Sequence, residues 1–381
     1  MEQVLVVDAV RTPLGRRLGS LSGIHPARLL GVVLKDLLRR TEVDGNQVEQ
    51  VIAGCVTEVG EQSFNIGRTA WLAAGLPEQV GATTVDAQCG SSQQAFTLAA
   101  GLIRSGLANV VVACGVESMS RVPIGSNYKK EIGFGRPITP EYLERYRFLN
   151  QYQAAEAIAG KWQVTRERAD EFGLVSQQRA KAAWSEGRFD GQVVPVEAEP
   201  ATVTTDEGLR ETSLEALSQL KPVVPDGIHT AGTASQISDG ASAVLLASER
   251  WVAEHPVTPK ASVVDSMLIG VDPVTMLTGP HEVTPQLLRR NHLAMADIDL
   301  IEINEAFASI VLSWADVVDA DMSRVNPNGG AIALGHPLGA TGTVLITKAV
   351  HELERTGGRY ALITMCCGGG LGTGTLLERA S

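Results

Sequence analysis

The sequence predicts an α/β fold built from two similar halves, and three observations support this prediction. Strand-like apolar runs alternate with segments whose apolar residues recur at helical spacing, a pattern typical of α/β proteins. Two distant segments share one order of elements, namely a strand, a glycine-marked turn, a helix and a second strand that ends in Cys-Gly. Between these segments the alternation disappears and glycine, proline and charged residues become more frequent, which indicates an insertion.

The first predicted half starts with a strand at residues 4–9. A helix follows, because the apolar residues between 30 and 38 are three or four positions apart. The next strand is predicted at residues 48–56. These elements lead into the first of the two matching segments.

The matching segments are residues 84–115 and 325–368. Their helices carry apolar or small residues on one face, at 95–103 in the first and at 345–353 in the second. The shared order of elements predicts an internal duplication. The alternative stays open at this point, because any α/β fold repeats strand, helix and strand.

The stretch from residue 118 to residue 237 is predicted to be an inserted loop domain. Two parts of it have helical spacing, residues 153–161 and 166–187. The predicted division is therefore an N-terminal half of residues 1–117 plus about 238–256, a loop domain of residues 118–237, and a C-terminal half of residues 257–381.

The composition excludes several classes of function. The 381 residues are 44% apolar, enough for two or three small domains or one doubled domain. Lys and Arg total 32 against 43 Asp and Glu, and the net charge of −11 argues against nucleic-acid binding. No apolar run approaches the length of a bilayer span and the first residues lack a signal-peptide pattern, so we expect a cytoplasmic protein without membrane insertion.

The five cysteines form no pair of C-x-x-C motifs, so neither a disulfide framework nor a structural metal site is predicted. Cys89 follows a strand-like run and precedes small polar residues, which places it where a helix begins. There the helix dipole and free N–H groups stabilise a thiolate, so a lowered pKa is predicted. For a lone cysteine the alternative, a buried inert thiol, is the commoner case.

His336 lies in a glycine-rich stretch, residues 326–342, whose glycines permit tight turns and the close approach of a ligand or another segment. A histidine there can activate a thiol or donate a proton to an oxyanion. A phosphate-binding glycine loop is disfavoured, because no Gly-Lys-Ser/Thr follows and the spacing is not G-x-G-x-x-G. A structural histidine with satisfied hydrogen bonds remains the other interpretation.

Cys366 and Cys367 end an apolar strand and precede a run of glycines that starts at Gly368. A thiol beside exposed backbone N–H groups could supply both an acid/base group and an oxyanion hole. A disulfide between these adjacent residues is disfavoured because it would be strained. Asn304 and Glu305 follow another strand-like run and put an amide and a carboxylate at its end.

Together these segments resemble the thiolase family, over nearly the whole chain and in the family's order. The residues that carry the resemblance are Val85-Asp86-Ala87-Gln88-Cys89-Gly90-Ser91, Glu117-Ser118-Met119-Ser120, Asn304-Glu305-Ala306-Phe307, the block from Asn328 to Gly342, and Cys366-x-Gly368-Gly369-Gly370-x-Gly372. The resemblance implies two similar halves in a five-layer α-β-α-β-α core, with the inserted region covering a coenzyme A site. It also implies a homodimer or homotetramer.

The resemblance implies a role for each candidate residue. Cys89 would be the acylated nucleophile, His336 would activate it and help to bind the thioester oxygen, and Cys366 would be the acid/base. Asn304 would hold a water in one oxyanion hole, and the N–H groups of Cys89 and Gly368 would form the second. Ser235 matches a serine that contacts pantetheine and Arg210 lies near a basic position that contacts CoA, so CoA is expected as a substrate with no permanently bound cofactor.

The implied reaction is cleavage of a 3-ketoacyl-CoA by CoA, giving acetyl-CoA or propionyl-CoA and a shortened acyl-CoA. Short-chain acetoacetyl-CoA thiolases carry His-Met-Gly before Thr-Ala-Glu, whereas residues 150–156 here read Asn-Gln-Tyr-Gln-Ala-Ala-Glu. That stretch, together with residues 228–232 and 309–314, is most similar to degradative thiolases of steroid side-chain breakdown. A biosynthetic acetoacetyl-CoA thiolase is the alternative.

Two other classes of protein predict different residues at these positions. A ketosynthase shares the fold and the nucleophile, but it places a second histidine where this chain has Asn304, and a histidine in place of a second catalytic thiol. Cys366 therefore favours a thiolase. A non-catalytic lipid carrier or scaffold would be expected to lack one of Cys89, His336 or Cys366, and all three are present.

Overall fold

The computed structural model describes residues 2–128, 133 and 135–380. Residues 129–132 and 134, which belong to the predicted insertion, and the two terminal residues lie outside the described residues. The strands are β1 (Val4–Arg11), β2 (Gly15–Arg16), β3 (Gln50–Gly54), β4 (Gly81–Val85), β5 (Val110–Ser118), β6 (Ser238–Ser248), β7 (Ala261–Gly270), β8 (Leu300–Ile303), β9 (Tyr360–Cys367) and β10 (Leu371–Arg379).

The α-helices are α1 (Pro26–Thr41), α2 (Ile66–Ala73), α3 (Ser91–Arg104), α4 (Pro140–Arg145), α5 (Gln151–Lys161), α6 (Arg166–Ser185), α7 (Leu214–Ser218), α8 (Glu249–Glu254), α9 (Gly279–Arg290), α10 (Ala308–Val318) and α11 (Thr341–Thr356). The predicted helices near residues 30–38, 95–103 and 345–353 are confirmed as α1, α3 and α11. The strand expected at residues 325–326 is wrong, because Val325 makes only an isolated bridge to Ile301.

The two halves repeat one strand order and one set of directions. The first half runs β4-β3-β5-β6-β1, with β3 parallel to β4 and β5, and with β6 antiparallel to β5 and β1. The second half runs β8-β9-β10-β7, with β8 parallel to β9 and with β10 antiparallel to β9 and β7. The bridge at Val325 stands where the first half has β4. A short pairing of β1 with β7 joins the halves.

Helices and sheet alternate in five layers. Helices α3 and α11 lie in the middle and share one apolar cluster with the inner faces of both half-sheets, including Phe96, Val111, Ile346 and Ile363. Helices α1 and α2 cover the outer face of the first half. Helices α9 and α10 cover the outer face of the second half. The predicted α/β class with a five-layer core is confirmed.

The halves differ in one connection. Strands β5 and β6 pair from Ser118 and Asp239 onward, and everything between these residues forms the insertion. The equivalent strands β9 and β10 pair from Cys367 and Leu371, so only three residues connect them. The predicted helical stretches of the insertion are confirmed as α5 and α6. The nucleophile candidate and the histidine candidate both precede a central helix, α3 and α11 respectively.

Among the residues that the structure describes, no helix is both long and apolar enough to span a bilayer.

Candidate active site

Cys89 lies in a tight turn between β4 and α3, as predicted. Gln88 has φ +53°, so the chain reverses just before the cysteine. The Ser91 hydroxyl donates to the Gln88 carbonyl oxygen at 2.6 Å and accepts from the Ala87 N–H at 3.0 Å. Gly90 is the N-cap of α3. These bonds hold the Cys89 thiol, which is only 5% exposed, at the start of the central helix.

The end of β9 packs directly against this turn. A Cβ on Gly90 would lie 2.6 Å from the Cys367 Sγ, so only glycine fits there. The Gly368 N–H donates to the Cys89 sulfur. Cys366 and Cys367 are near enough that a charge on Cys89 raises the pKa of both thiols. The structure therefore brings Cys89, Cys366 and Gly368 together.

Burial raises the pKa of Cys89 to about 11, and the N–H groups of Gly368 and Cys89 offset only part of this rise. The prediction of a lowered pKa is therefore wrong for the unliganded protein. The helix begins where expected, but desolvation of the thiolate outweighs the donors around it. Cys89 is a neutral thiol at neutral pH, and it needs a base to become a nucleophile.

His336 is held rigidly in the loop before α11. Its backbone N–H donates to the Ser238 Oγ at 3.1 Å, and its Nδ1 lies 2.7 Å from the Thr341 Oγ1. The Thr341 hydroxyl lies 2.9 Å from the Pro337 carbonyl oxygen, to which it donates. Burial lowers the pKa of His336 to about 4. The imidazole is therefore neutral at pH 7 and can accept a proton.

Asn304 meets His336 from the end of β8. Its Nδ2 lies 3.4 Å from the His336 Nε2, which is a long contact. Its buried Oδ1 has no hydrogen-bond partner among the described residues. An unsatisfied buried amide oxygen is costly unless a ligand or water completes it. Asn304 thus places an unpaired amide oxygen beside the histidine.

Two buried carboxylates fasten the histidine loop. Glu117 accepts from the Gly339 N–H at 2.9 Å and from three other donors, the N–H groups of Val56 and Thr57 and the Gln62 amide. Glu305 accepts from the Ser176 hydroxyl at 2.6 Å and from the Ile332 N–H at 3.1 Å. Burial raises the pKa of both carboxyls.

Ser235 lies next to the Asn304 segment. Its N–H donates to the Ala306 carbonyl oxygen at 2.9 Å, and Ala234 forms an antiparallel bridge with Phe307. Arg210 does not join the cysteines. Its guanidinium donates to the Ala231 carbonyl oxygen at 3.1 Å, and burial lowers its pKa. Both residues belong to the insertion, Ser235 near its end.

An apolar cluster adjoins Cys366. Its buried members are Leu149, Ala154, Ala155, Ile158, Ala234, Met276, Leu277, Ala306, Phe307 and Ile310, with Tyr152 and Val274 packed against them. An acyl chain attached near Cys366 could be buried there.

Sequence reasoning missed the roles of Thr341, Glu117 and Glu305. Thr341 lies five residues after His336, beyond the Gly-His-Pro motif, and only the first turn of α11 brings it back to the imidazole. Glu117 carried a signal, because it is an acid that ends a strand of buried apolar residues. Within residues 2–128, 133 and 135–380, no group of three or more His, Cys, Asp or Glu side chains is arranged to hold a metal ion.

Comparisons with known proteins give consistent results. A family model described as the thiolase N-terminal domain matches residues 4–250, and one described as the thiolase C-terminal domain matches residues 257–379. The chain is 50% identical to steroid 3-ketoacyl-CoA thiolase FadA6 of Mycobacterium tuberculosis (strain ATCC 25618 / H37Rv), across 100% of this chain and 95% of that protein. It is 42% identical to a beta-ketoadipyl-CoA thiolase of Acinetobacter baylyi, with full coverage of both.

Solved structures are also similar. Human mitochondrial 3-ketoacyl-CoA thiolase in complex with CoA superposes with a TM-score of 0.92 at 36% identity, covering 100% of this chain and 98% of that one. The Bacillus anthracis acetyl-CoA acetyltransferase superposes with a TM-score of 0.92 at 35% identity, covering 100% and 99%.

Proposed function

Given that this chain belongs to the thiolase family, we propose that it cleaves a 3-ketoacyl-CoA with free CoA by way of an acyl group on Cys89. It is an acyltransferase, and its relatives include 3-ketoacyl-CoA thiolases. The observation that carries the acyl-Cys89 route is the convergence of Cys89, Cys366 and the Gly368 N–H at the end of β9.

In the first step the Cys89 sulfur attacks the ketone carbon, and the thiol proton passes to the His336 Nε2. The bond between that carbon and its neighbour breaks, and the departing enolate takes a proton from Cys366, which releases acetyl-CoA or propionyl-CoA. In the second step the Cys366 thiolate removes the proton of incoming CoA. The CoA sulfur attacks the acyl-Cys89 thioester, and Cys89 leaves and regains its proton from His336.

The N–H groups of Cys89 and Gly368 are proposed to stabilise the oxyanion of the acyl-Cys89 carbonyl. In the structure these same N–H groups are directed at the Cys89 sulfur. Asn304 is proposed to hold a water for the oxygen of the CoA thioester, which would complete its unsatisfied Oδ1.

His336 is suited to the base role because Thr341 sets its tautomer. The Thr341 hydroxyl has one proton, and that proton goes to the Pro337 carbonyl oxygen. Its lone pair therefore accepts from the His336 Nδ1–H at 2.7 Å. The Nε2 is left with a free lone pair, directed towards Asn304.

The acyl-enzyme is tested with a 3-ketoacyl-CoA and free CoA. Acetyl-CoA should appear, and mass spectrometry of the Cys366→Ala variant should show an acyl adduct on Cys89. Cys114→Ala is the matched control, because Cys114 is a buried thiol at the equivalent strand of the other half. An adduct on another residue, or undiminished thiolysis by Cys89→Ala, would contradict the proposal.

For the substrate we propose the 3-ketoacyl-CoA of a steroid side chain. The 50% identical relative is named a steroid 3-ketoacyl-CoA thiolase. Relatives at 42% identity are named beta-ketoadipyl-CoA thiolases, and their substrate ends in a carboxylate. The cluster beside Cys366 is apolar, and burying an unpaired carboxylate there would be costly.

A thiolysis panel distinguishes these substrates. It should compare acetoacetyl-CoA, beta-ketoadipyl-CoA, a long straight-chain 3-ketoacyl-CoA and a steroid 3-ketoacyl-CoA. The steroid substrate is expected to have the highest kcat/KM. A clear preference for acetoacetyl-CoA would support the biosynthetic alternative instead.

CoA is proposed to bind against the insertion, near Ser235 and Arg210. Ser235 adjoins the Asn304 segment, and the Arg210 guanidinium, which is partly buried but still accessible to solvent, offers a cation for a phosphate group. Arg210→Gln should raise the KM for CoA several-fold and leave kcat near its original value, since the phosphates are remote from the reacting atoms. Arg136→Gln is the control. A fall in kcat alone would argue against this site.

We further propose a homo-oligomer that uses the edge strand β4. Within the described residues β4 pairs only with β3, and a concavity of about 360 Å³ beside it is lined by Leu98 and Leu102. Leu98→Arg should lower the mass measured by light scattering. Leu214→Arg, at a similarly exposed leucine of the insertion, should not. Unchanged mass in Leu98→Arg would exclude this face.

We also propose a domain division and a cellular location. The division into residues 1–117 plus about 238–256, 118–237 and 257–381 is supported by the repeated strand order, and limited proteolysis within the insertion tests it. A cytoplasmic location is a prediction from the sequence, and cell fractionation tests it.

A further inference from the structure

The three stretches that carry the similarity to degradative thiolases, residues 150–156, 228–232 and 309–314, converge in the structure. Each contributes one member of a buried hydrogen-bonded chain. The Glu156 Oε1 lies 2.9 Å from the His229 Nδ1, and the His229 Nε2 lies 2.8 Å from the Ser309 Oγ. The three stretches are therefore physically connected.

The chain of contacts is rigid. His229 and Ser309 are completely buried, and the Glu156 carboxylate also accepts from the backbone N–H groups of Ile228 and His229. Burial raises the pKa of Glu156, but the bonds from His229 outweigh this and hold it below its usual range. An ionised carboxylate can only accept, so His229 donates its Nδ1–H to Glu156.

A hydrolase would use these three residue types as a nucleophile, a base and an orienting acid. That role does not suit this site, because Ser309 lies in the first turn of α10 with no exposed surface. Its hydroxyl also lies 3.3 Å from the Ala155 carbonyl oxygen, which ties α10 to α5. The network therefore holds neighbouring side chains in position and does not itself take part in a reaction.

The network supports two aromatic rings in the apolar cluster beside Cys366. The His229 ring lies edge-on to Phe307, with centroids 5.3 Å apart. Phe307 in turn lies edge-on to Tyr152 at 5.0 Å. Such edge-to-face pairs have preferred geometry, so a fixed imidazole fixes Phe307, and Phe307 fixes Tyr152. Phe307 and Cys366 belong to the same cluster.

We propose that Glu156, His229 and Ser309 form a positioning network that fixes Phe307 and Tyr152, and that this network sets which acyl chains the site accepts. The proposal rests on the proposed thiolase function, in which the acyl chain lies beside Cys366. Replacing any member allows the Phe307 and Tyr152 rings to move. This changes the selectivity for acyl-chain length more than it changes the rate of the chemical steps.

The chain contains a matched control. Ser313 lies one turn further along α10 and is completely buried, and its Oγ is hydrogen-bonded to the Nε2 of a buried histidine, His281, at 2.9 Å. His281 lies against Trp162, which packs on the same cluster but forms no aromatic pair with Phe307 or Tyr152 among the described residues. Ser309→Ala and Ser313→Ala therefore each remove one buried serine–histidine bond, and only the first touches the network.

The first measurement is the ratio of kcat/KM for a long-chain 3-ketoacyl-CoA to that for acetoacetyl-CoA. Ser309→Ala should change this ratio about fivefold, the equivalent of one hydrogen bond of about 1 kcal/mol. Ser313→Ala should leave it unchanged and Ser309→Thr should restore it. If Ser309→Ala does not fold, His229→Asn keeps a donor for Glu156 but cannot reach Ser309, and should give the same shift. Equal ratios in the Ser309 and Ser313 variants would overturn the proposal.

A double variant tests whether the three residues act as one unit. Glu156 and Ser309 are connected through His229, so Glu156→Gln combined with Ser309→Ala should change the ratio by less than the product of the single changes. Multiplicative effects would overturn the network.

A second readout does not require turnover. Iodoacetamide and its N-hexyl derivative both alkylate Cys89, and mass spectrometry measures the two rates. Their ratio reports how easily an alkyl chain passes the Phe307 and Tyr152 rings. This ratio should change in Ser309→Ala and not in Ser313→Ala. If the wild type thiolyses none of the substrates and this ratio still changes, the proposed function fails while the network stands. If thiolysis occurs and neither ratio responds to Ser309→Ala, the network fails alone.

Discussion

The His336 imidazole has a lone pair available over most of the pH range in which a protein is folded, because burial lowers its pKa to about 4. In the plot of kcat/KM against pH, the acidic limb due to this base should therefore have its midpoint near pH 4. An exposed histidine would place that midpoint near 6.5. A midpoint close to 6.5 would contradict the buried geometry.

The same pKa has a consequence for stability. When unfolded, His336 regains its ordinary pKa of ~6.5, so the unfolded state binds the proton first as the pH falls. The free energy of unfolding should thus decline as the pH drops from 6.5 towards 4, and His336→Phe should lessen this decline. Urea unfolding at pH 7 and pH 5 measures the difference, and an identical decline in both proteins would count against it.

Thr341 sets the tautomer of His336 through a single hydroxyl. Thr341→Val keeps the shape but removes the acceptor for Nδ1–H, so kcat should fall by at least about tenfold, as when a catalytic histidine loses its orienting partner. Thr341→Ser should retain most activity. Steady-state thiolysis kinetics compare the two, and equal activity in both variants would show that the hydroxyl has no such role.

Among the candidate residues, Cys89, His336 and Cys366 could be proposed from the sequence because each stands in a short motif. The pKa of Cys89 could not be predicted, since the local signal is a helix start and the dominant cause is burial in a core cluster that includes Met365 and Cys367 of β9, almost 280 residues later in the chain. The role of Thr341 was missed for a similar reason. The proton positions of a hydroxyl and an imidazole depend on distances that no motif specifies.

The turn before α3 can pack closely against β9 and β10 because residue 90 is a glycine and has no side chain. A Cβ there would lie 2.6 Å from the Cys367 Sγ and 2.7 Å from the Thr373 Cγ2. Gly90→Ala should therefore displace Cys89, reduce thiolysis strongly and destabilise the protein by about 1–3 kcal/mol. Thiolysis rates and melting temperatures measure the two effects.

Gly160 provides the comparison. It lies in α5 with open space around its Cα, so Gly160→Ala should be neutral or stabilise by about 0.5–1 kcal/mol. Similar melting temperatures for the two alanine variants would mean that the turn accommodates a side chain.

Helices with a clear apolar face were predictable, and α1 shows why. Its buried positions repeat at helical spacing, Pro26 stands in its first turn and the His25 side chain caps it. Val325 shows the limit. The shared order of elements predicts it in the strand that opens the second matching segment, but it meets Ile301 at one position only, and Asn326 and Pro327 directly after it disfavour a strand.

Across the whole molecule, a buried ion pair connects the first half to the insertion. Arg11 of β1 and Asp206 are both completely buried and form two parallel bonds of 2.7 and 3.0 Å. Asp206→Asn leaves the guanidinium charge without its partner, so the free energy of unfolding should fall by about 3–5 kcal/mol. Urea unfolding measures this loss.

The control is the exposed pair Lys181–Glu211. Its side chains are 66% and 86% exposed, so Glu211→Gln should change stability by less than about 1 kcal/mol. A comparable loss of unfolding free energy in both variants would indicate that burial does not increase the contribution of the Arg11–Asp206 pair to stability.

The repeated order of elements was visible in the sequence because each half carries its own strand, turn and helix. The convergence of Glu156, His229 and Ser309 was not, since these residues are 73 and 80 positions apart in turn and their meeting depends on the path of the insertion. Contacts of such long range follow from packing, which periodicity does not record.

The unequal connections of the two halves also bear on how such an enzyme can be altered. The insertion leaves and rejoins the sheet at Ser118 and Asp239, which are paired neighbours, so its two ends are fixed side by side. In the second half the same pair of strands closes with three residues. The insertion, with Tyr152, Glu156 and His229, can therefore be transplanted between relatives as one continuous segment while the sheet keeps its register, and an exchange of substrate preference also has to carry over Phe307 and Ser309 at the start of α10.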